Sequence, residues 1–236
     1  MYRPSGNISI SGTDDLFTYK LVTGSTGTID ITIPSIIDSG KGLEIRDSIT
    51  TDSGNITIAS VTFVKFINTT SDITSTSGNV SITADSDTTD DEVLTMSDGA
   101  VINAGSGVVT LTAGGGDITV ETITTSGNVT INTSGGAIVK QAADTGILVT
   151  GNLVDLDADT GIATNISATT IEALNSTSGD IDLTETNAVT VNRIEQGAGT
   201  SGNITLVAGG NIIHVLLGGG IAAVMGLPLI LDKEYV

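Results

Sequence analysis

Residues 105–139 read GSGVVTLTAGGGDITVETITTSGNVTINTSGGAIV. A glycine-rich punctuation is followed by a short Val/Ile/Leu–Thr alternation, and the phrase then repeats. Glycines opening successive phrases stand at 107, 116, 127, 136 and 146, in steps of 9, 11, 9 and 10. Taken two at a time the steps are 20, 20 and 19. A fixed period of this length marks a solenoid, whose unit buries its apolar face only by stacking on its neighbours.

Outward from this stretch the same phrase recurs. Ser-Gly-Asn stands at 53–55, 77–79, 126–128 and 201–203, with Ser-Gly-Asp at 178–180 and Gly-Asn at 151–152. Glycine takes positive φ without steric cost and asparagine tolerates the same region, so the pair is expected to turn a corner. Beyond the corner, apolar and polar residues alternate. In Gly78-Asn79-Val80-Ser81-Ile82-Thr83-Ala84, the residues Val80, Ile82 and Ala84 share one face while Ser81 and Thr83 share the other. Period two with one apolar face is a half-buried strand. Hairpins would call for Asn-Gly rather than Gly-Asn, and for a second strand of matched length. Phrases repeated one coil apart instead place Val80, or Ser81, above its counterpart.

The expected fold is therefore all-β: a single-stranded right-handed parallel β-helix, or β-solenoid, of about seven to ten coils with irregular terminal caps. Three segments are expected. Residues 1–50, with irregular spacing and larger side chains, read as irregular N-terminal coils or a cap. Residues 51–211 are the solenoid repeats. Residues 212–236 read as an apolar C-terminal cap or a membrane-associated tail, because Ile212–Leu231 carries no formal charge over a length that would span a bilayer. Gly218-Gly219-Gly220 and Pro228 interrupt that run, and no basic flank comes after it.

Composition narrows the function. Aromatics are 3% with no Trp, and 27 Asp plus Glu stand against 8 Lys plus Arg, for a net charge of −19. Such a surface repels phosphate backbones, so no nucleic-acid partner is expected. With no cysteine, disulfide and thiolate chemistry is excluded. The N-terminus, MYRPSGNISISG, lacks a signal-peptide layout, which suggests a piece of a longer protein or export by other means.

Few residues suggest chemistry. Asp155, Asp157 and Asp159 alternate with Leu156 and Ala158, which puts three carboxylates on one outer face as a candidate Ca²⁺ site. They lack the glycine spacing of a calcium loop, so three solvated aspartates are the plainer reading. The acidic run at 85–92 reads as an exposed loop leaving the shaft. His214 is the single histidine, too little for a triad or a zinc site. Thr-x-Thr at 26–28, 74–76, 110–112, 122–124 and 184–186 is too irregularly spaced for one array. Asn-x-Ser/Thr at Asn55, Asn79, Asn128 and Asn203 arises from the repeat phrase itself. No catalytic, cofactor-binding or metal-ligating residue is assigned, and no cofactor is expected.

The phrases GNVSITA (78–84), GVVTLTAGGGDITV (107–120) and SGNITLVAGGNI (201–212) resemble the internal repeats of filamentous-haemagglutinin-like bacterial exoproteins and large repeat adhesins. The likeness is one of repeat style and covers roughly 51–212, without the family's amino-terminal secretion domain. It implies an extracellular or bacterial cell-surface shaft used in adhesion, with host or neighbouring-cell glycans or proteins as partners. The function expected is thus non-enzymatic, structural and adhesive. The alternatives are a polysaccharide-acting β-helix (lyase or depolymerase) and a calcium-stabilised surface module. Open solenoid ends further predict self-association through unpaired strand edges.

Overall fold

The Gly-Asn phrases at 54–55, 78–79 and 127–128 open the short strands Ile56–Ser60, Val80–Ala84 and Val129–Thr133, and the Gly107 corner opens Val109–Ala113 in the same way, whereas Gly151-Asn152 lies within the strand Val149–Ala158. The computed structural model describes residues 1–3, 5–13, 15–34, 41–87, 92–141, 143–199 and 201–214, which contain strands and no helix. Strands pair in parallel with strands one turn away in sequence, so the chain winds into a β-solenoid of about 8 turns. Each turn contributes to three parallel sheets that run the length of the stack.

Register is what turns the repeat into a core. In the first sheet Ile8, Ile29, Ile56, Val80, Val109, Val129, Val154 and Ile171 stack as one row. In the second, Leu16, Leu43, Val64, Leu94, Ile118, Ile138, Ile162 and Ile181 do the same. Leu21, Ile49, Ile73, Ile102, Ile123, Val149 and Ile166 form the third. From Ile29 onward nearly all of these side chains are sealed from solvent and belong to one continuous cluster. An isoleucine so buried contributes about 2–3 kcal/mol relative to exposure. A slip of one residue would turn a whole row outward, so the apolar pattern fixes the register.

The turns are unequal. Successive members of the first row are separated by as few as 17 residues (Val154 to Ile171) and as many as 29 (Val80 to Val109). The longest turn contains the acidic run. Ser86 and Asp87 there are both exposed, and 88–91 lie outside the described residues. Asp85 is not exposed: it is buried at a positive-φ corner (φ 50), with its N–H donating to Thr62 O at 2.8 Å. The exposed stretch begins only after Asp85, because the corner itself must still close on the turn below.

The ladder begins at once. Tyr2–Arg3 pairs with Leu21–Thr23 and Ile8–Ser11 with Ile29–Ile33, so residues 1–50 already build the three sheets. At the other end Ile212–His214 pairs with the strand Val189–Gln196, through its residues 189–191. The choice between cap and membrane-associated tail for 212–236 falls on residues 215–236, outside the described residues. No helix among the described residues is long and apolar enough to cross a membrane.

Four of the corner glycines work differently from the expectation, whereas Gly179 of the Ser-Gly-Asp phrase takes the expected positive φ (φ 85). Gly54, Gly78, Gly107 and Gly127 do not have positive φ. They form a column in which a Cβ at Gly54, Gly78, Gly107 or Gly127 would lie 2.0, 1.9, 2.1 or 2.5 Å from the carbonyl oxygen of the glycine in the turn below. Glycine is required by close backbone approach, not by the left-handed region. Hydroxyls complete the corner: Thr51 Oγ1 donates to Gly27 O at 2.8 Å, and Ser75 Oγ donates to Gly54 O at 3.2 Å. Asparagine also acts through its side chain. Asn55 Oδ1 accepts from Asn79 N–H at 2.9 Å, and Asn79 Oδ1 accepts from Val108 N–H at 2.9 Å. Each Asn thus satisfies a backbone donor that the turn leaves outside the ladder.

Candidate functional site

The outward face of the first sheet carries a row that changes character along the shaft. It runs Ser9, Asp30, Thr57, Ser81, Thr110, Thr130, then Asp155, Glu172 and Arg193. Apart from Asp30, small hydroxyls give way to charge where the long strand Val149–Ala158 runs through two of the sheets and Ile162–Asn175 through all three.

Asp155 and Asp157 emerge from that charged section as expected, between buried Leu156 and Ala158, and Asp159 comes just past the strand. The three do not act together. The Arg193 guanidinium reaches down across two turns to Asp157 at 2.9 Å and Asp155 at 3.6 Å. Asp159 instead accepts from the Ser176 hydroxyl, and its own N–H donates to Gly136 O at 3.1 Å. Burial, then the charges of Asp157 and Glu172, push Asp155 above the ordinary aspartate range, and Arg193 opposes them. A protein cation already occupies the place where a calcium ion was a candidate. Beside it a shallow recess is lined by Asn132, Thr133, Ser134, Asp157, Ala158, Asp159, Leu174 and Ser176.

A second carboxylate group lies at the corner between the second and third sheets, where no sequence motif points. Asp98, Glu121 and Asp144 come from three successive turns, and one carboxylate oxygen from each lies within 4.8 Å of the others. Asp98 comes after the strand Leu94–Thr95, Glu121 sits between Ile118–Val120 and Thr122–Thr125, and Asp144 lies in the turn after Ile138–Lys140. Glu121 is only 6% exposed. Its Oε2 and the Oδ2 of Asp144 are both shielded from solvent without a hydrogen-bond donor. Burial first, then Asp144 and Asp98, push the Glu121 carboxyl up to about 7, against one stabilising contact from the Gly99 N–H. The sequence did carry a signal: 98, 121 and 144 are separated by two equal steps of 23, one turn each. The Gly-Asn punctuation drew attention to a different corner.

The remaining candidates disperse. Thr-x-Thr segments fall on the third sheet (74–76 and 122–124), the first (110–112), the second (184–186) and a corner (26–28), so they form no single array. His214 is an exposed residue of the last described strand. Glu185, another residue without a motif, is 1% exposed but its carboxylate accepts from the N–H groups of Ala168 at 2.8 Å and Asn187 at 3.0 Å. It closes the position above Ile166, a structural task. Several cations are held close to home: Lys41 pairs with Asp15 at 2.9 Å, holding that carboxyl low, and Arg46 pairs with Glu44 at 2.6 Å and stacks on Phe17.

Compared with known proteins, the chain matches no family model, no curated protein and no solved structure.

Proposed function

We propose that this chain is a non-enzymatic shaft: a structural and adhesive segment of a bacterial secreted or cell-surface protein, stiff enough to hold binding elements away from their base. The observation that carries the proposal is the continuous stacking of the apolar rows, which persists past the bulges at Asn103/Gly105 and Ile171/Glu172. Apolar rows of seven or more residues run through the stack in all three sheets, over a polar outer wall. Such a stack resists bending because every turn shares a continuous core and hydrogen-bond ladder with the next. Surface glycans or proteins of a host or neighbouring cell are its proposed contacts, and its open ends are proposed to associate with further copies.

The competing reading is a polysaccharide-acting β-helix, favoured by the recess at Asp157 and Asp159 beside Arg193. Against it, no Phe, Tyr or Trp occurs between residues 67 and 214, so the recess has no ring on which a sugar would stack. A screen of the purified chain on a polysaccharide panel separates the two. The shaft reading expects binding without turnover. Turnover abolished by Asp157→Asn or Asp159→Asn would replace it with the enzymatic one.

A further inference from the structure

We propose that Asp98, Glu121 and Asp144 form a Ca²⁺ site that clamps three successive turns of the solenoid at one corner. Two independent features converge there. The three donor oxygens lie within 4.8 Å of one another, although each comes from a different turn. In addition, Glu121 is more than nine-tenths buried, and its Oε2, like the Oδ2 of Asp144, is shielded from solvent without a hydrogen-bond donor. Buried carboxylate oxygens without donors are costly, and they persist where a counter-ion completes them.

Among the described residues no protein cation fills that role. None of the three carboxylates is in an ion pair among the described residues. The nearby Lys140 ammonium donates to the backbone carbonyl of Asp144 instead. This is the reverse of the Asp155–Asp157 pair, where Arg193 supplies the charge.

The donor set selects the ion. All three ligands are carboxylates, with no nitrogen or sulfur donor, which favours a hard cation over zinc or copper. Ca²⁺ takes oxygens at about 2.3–2.6 Å in irregular geometry, as ligands gathered from three separate turns offer, whereas Mg²⁺ demands a near-ideal octahedron at about 2.0–2.1 Å. Three carboxylates on a divalent ion leave a small net negative charge, with carbonyl or water oxygens completing the shell. Because the ligands come from three turns, the bound ion ties the stack together at a corner.

The test is calorimetric titration of CaCl2 into the chelator-treated 236-residue chain in physiological salt, with a parallel MgCl2 titration. The expected result is one Ca²⁺ per chain. Glu121→Gln and Asp144→Asn should weaken it more than about 100-fold, since even outer-shell changes cost about 10–100-fold. Asp182→Asn, an exposed carboxylate on the second sheet, should leave it unchanged. Circular dichroism checks that the variants are folded. If Glu121→Gln does not fold, Asp144→Asn carries the test from a partly exposed turn. Absence of saturable Ca²⁺ binding, Ca²⁺ binding that survives Asp144→Asn, equal loss in Asp182→Asn, or Mg²⁺ bound as tightly as Ca²⁺ would each overturn the proposal.

Discussion

Gly78→Ala should unfold the stack far more than its single methyl suggests. The new Cβ would lie 1.9 Å from Gly54 O, 2.4 Å from Gly54 C and 2.9 Å from Ser53 O. All three are backbone atoms of the neighbouring turn, so no side chain can rotate away. Relief requires the two turns to separate by more than about 1 Å, beyond the usual overpacking cost of about 1–3 kcal/mol. That movement also strains the nearby bonds from Ile56 N–H to Asn79 O at 2.9 Å and from Gly78 N–H to Ser75 Oγ at 2.8 Å, each worth about 1 kcal/mol. The expected loss is about 3–5 kcal/mol. At about 2–4 °C per kcal/mol for a chain of this size, the melting temperature should fall by roughly 10 °C. Gly146→Ala is the control. Nothing lies within 4 Å of its Cβ and its φ is not positive, so it should be neutral or stabilise by about 0.4–1 kcal/mol. Thermal and urea unfolding tracked by circular dichroism measures both. If Gly78→Ala melts within about 2 °C of the parent, the close-approach account of the glycine column is wrong.

Two further perturbations probe the core and the outer wall. Ile82→Ala removes a fully buried member of the row Ile31, Ile58, Ile82, Leu111 and should cost about 2–5 kcal/mol in urea unfolding. Arg193→Gln removes the cation that opposes Asp157 and Glu172 at Asp155. Asp155 already titrates above its ordinary range, so its contribution to stability is full below the unfolded value and is lost as pH rises through the folded one. Without Arg193 the folded value rises further. The variant's deficit should therefore grow as pH rises above the ordinary aspartate value of about 4, reaching about 1 kcal/mol for pairs this exposed. A deficit that shrinks over that range would contradict the assignment.

Much of the fold was legible because a solenoid repeats its constraints. Val80, Ile82 and Ala84 announce one buried face, and the same phrase at 109–113 and 129–133 announces the register. The reason glycine stands at the corner was not legible: a sequence shows that Gly54 and Gly78 are special, but close approach and positive φ leave the same letter. The site was harder. Asp155, Asp157 and Asp159 were visible as a local run, whereas Arg193, which holds two of them, lies 36 residues away from Asp157. Asp98, Glu121 and Asp144 carry no local pattern at all. They meet only because three turns share one corner, and turn lengths from 17 to 29 residues hide that meeting until the register is known.

The shaft itself is tested most directly by spin-label distances along one outward row. The chain has no cysteine, so paired cysteines at chosen positions label cleanly. From Ser9, the residues Ser81, Thr130 and Glu172 stand three, five and seven rungs along the row. At about 4.8 Å per rung the backbone separations should be about 14, 24 and 34 Å. Narrow distributions increasing linearly with rung number are the predicted result. Broad distributions, or distances that fail to grow from Ser81 to Thr130 to Glu172, would contradict a stiff in-register stack.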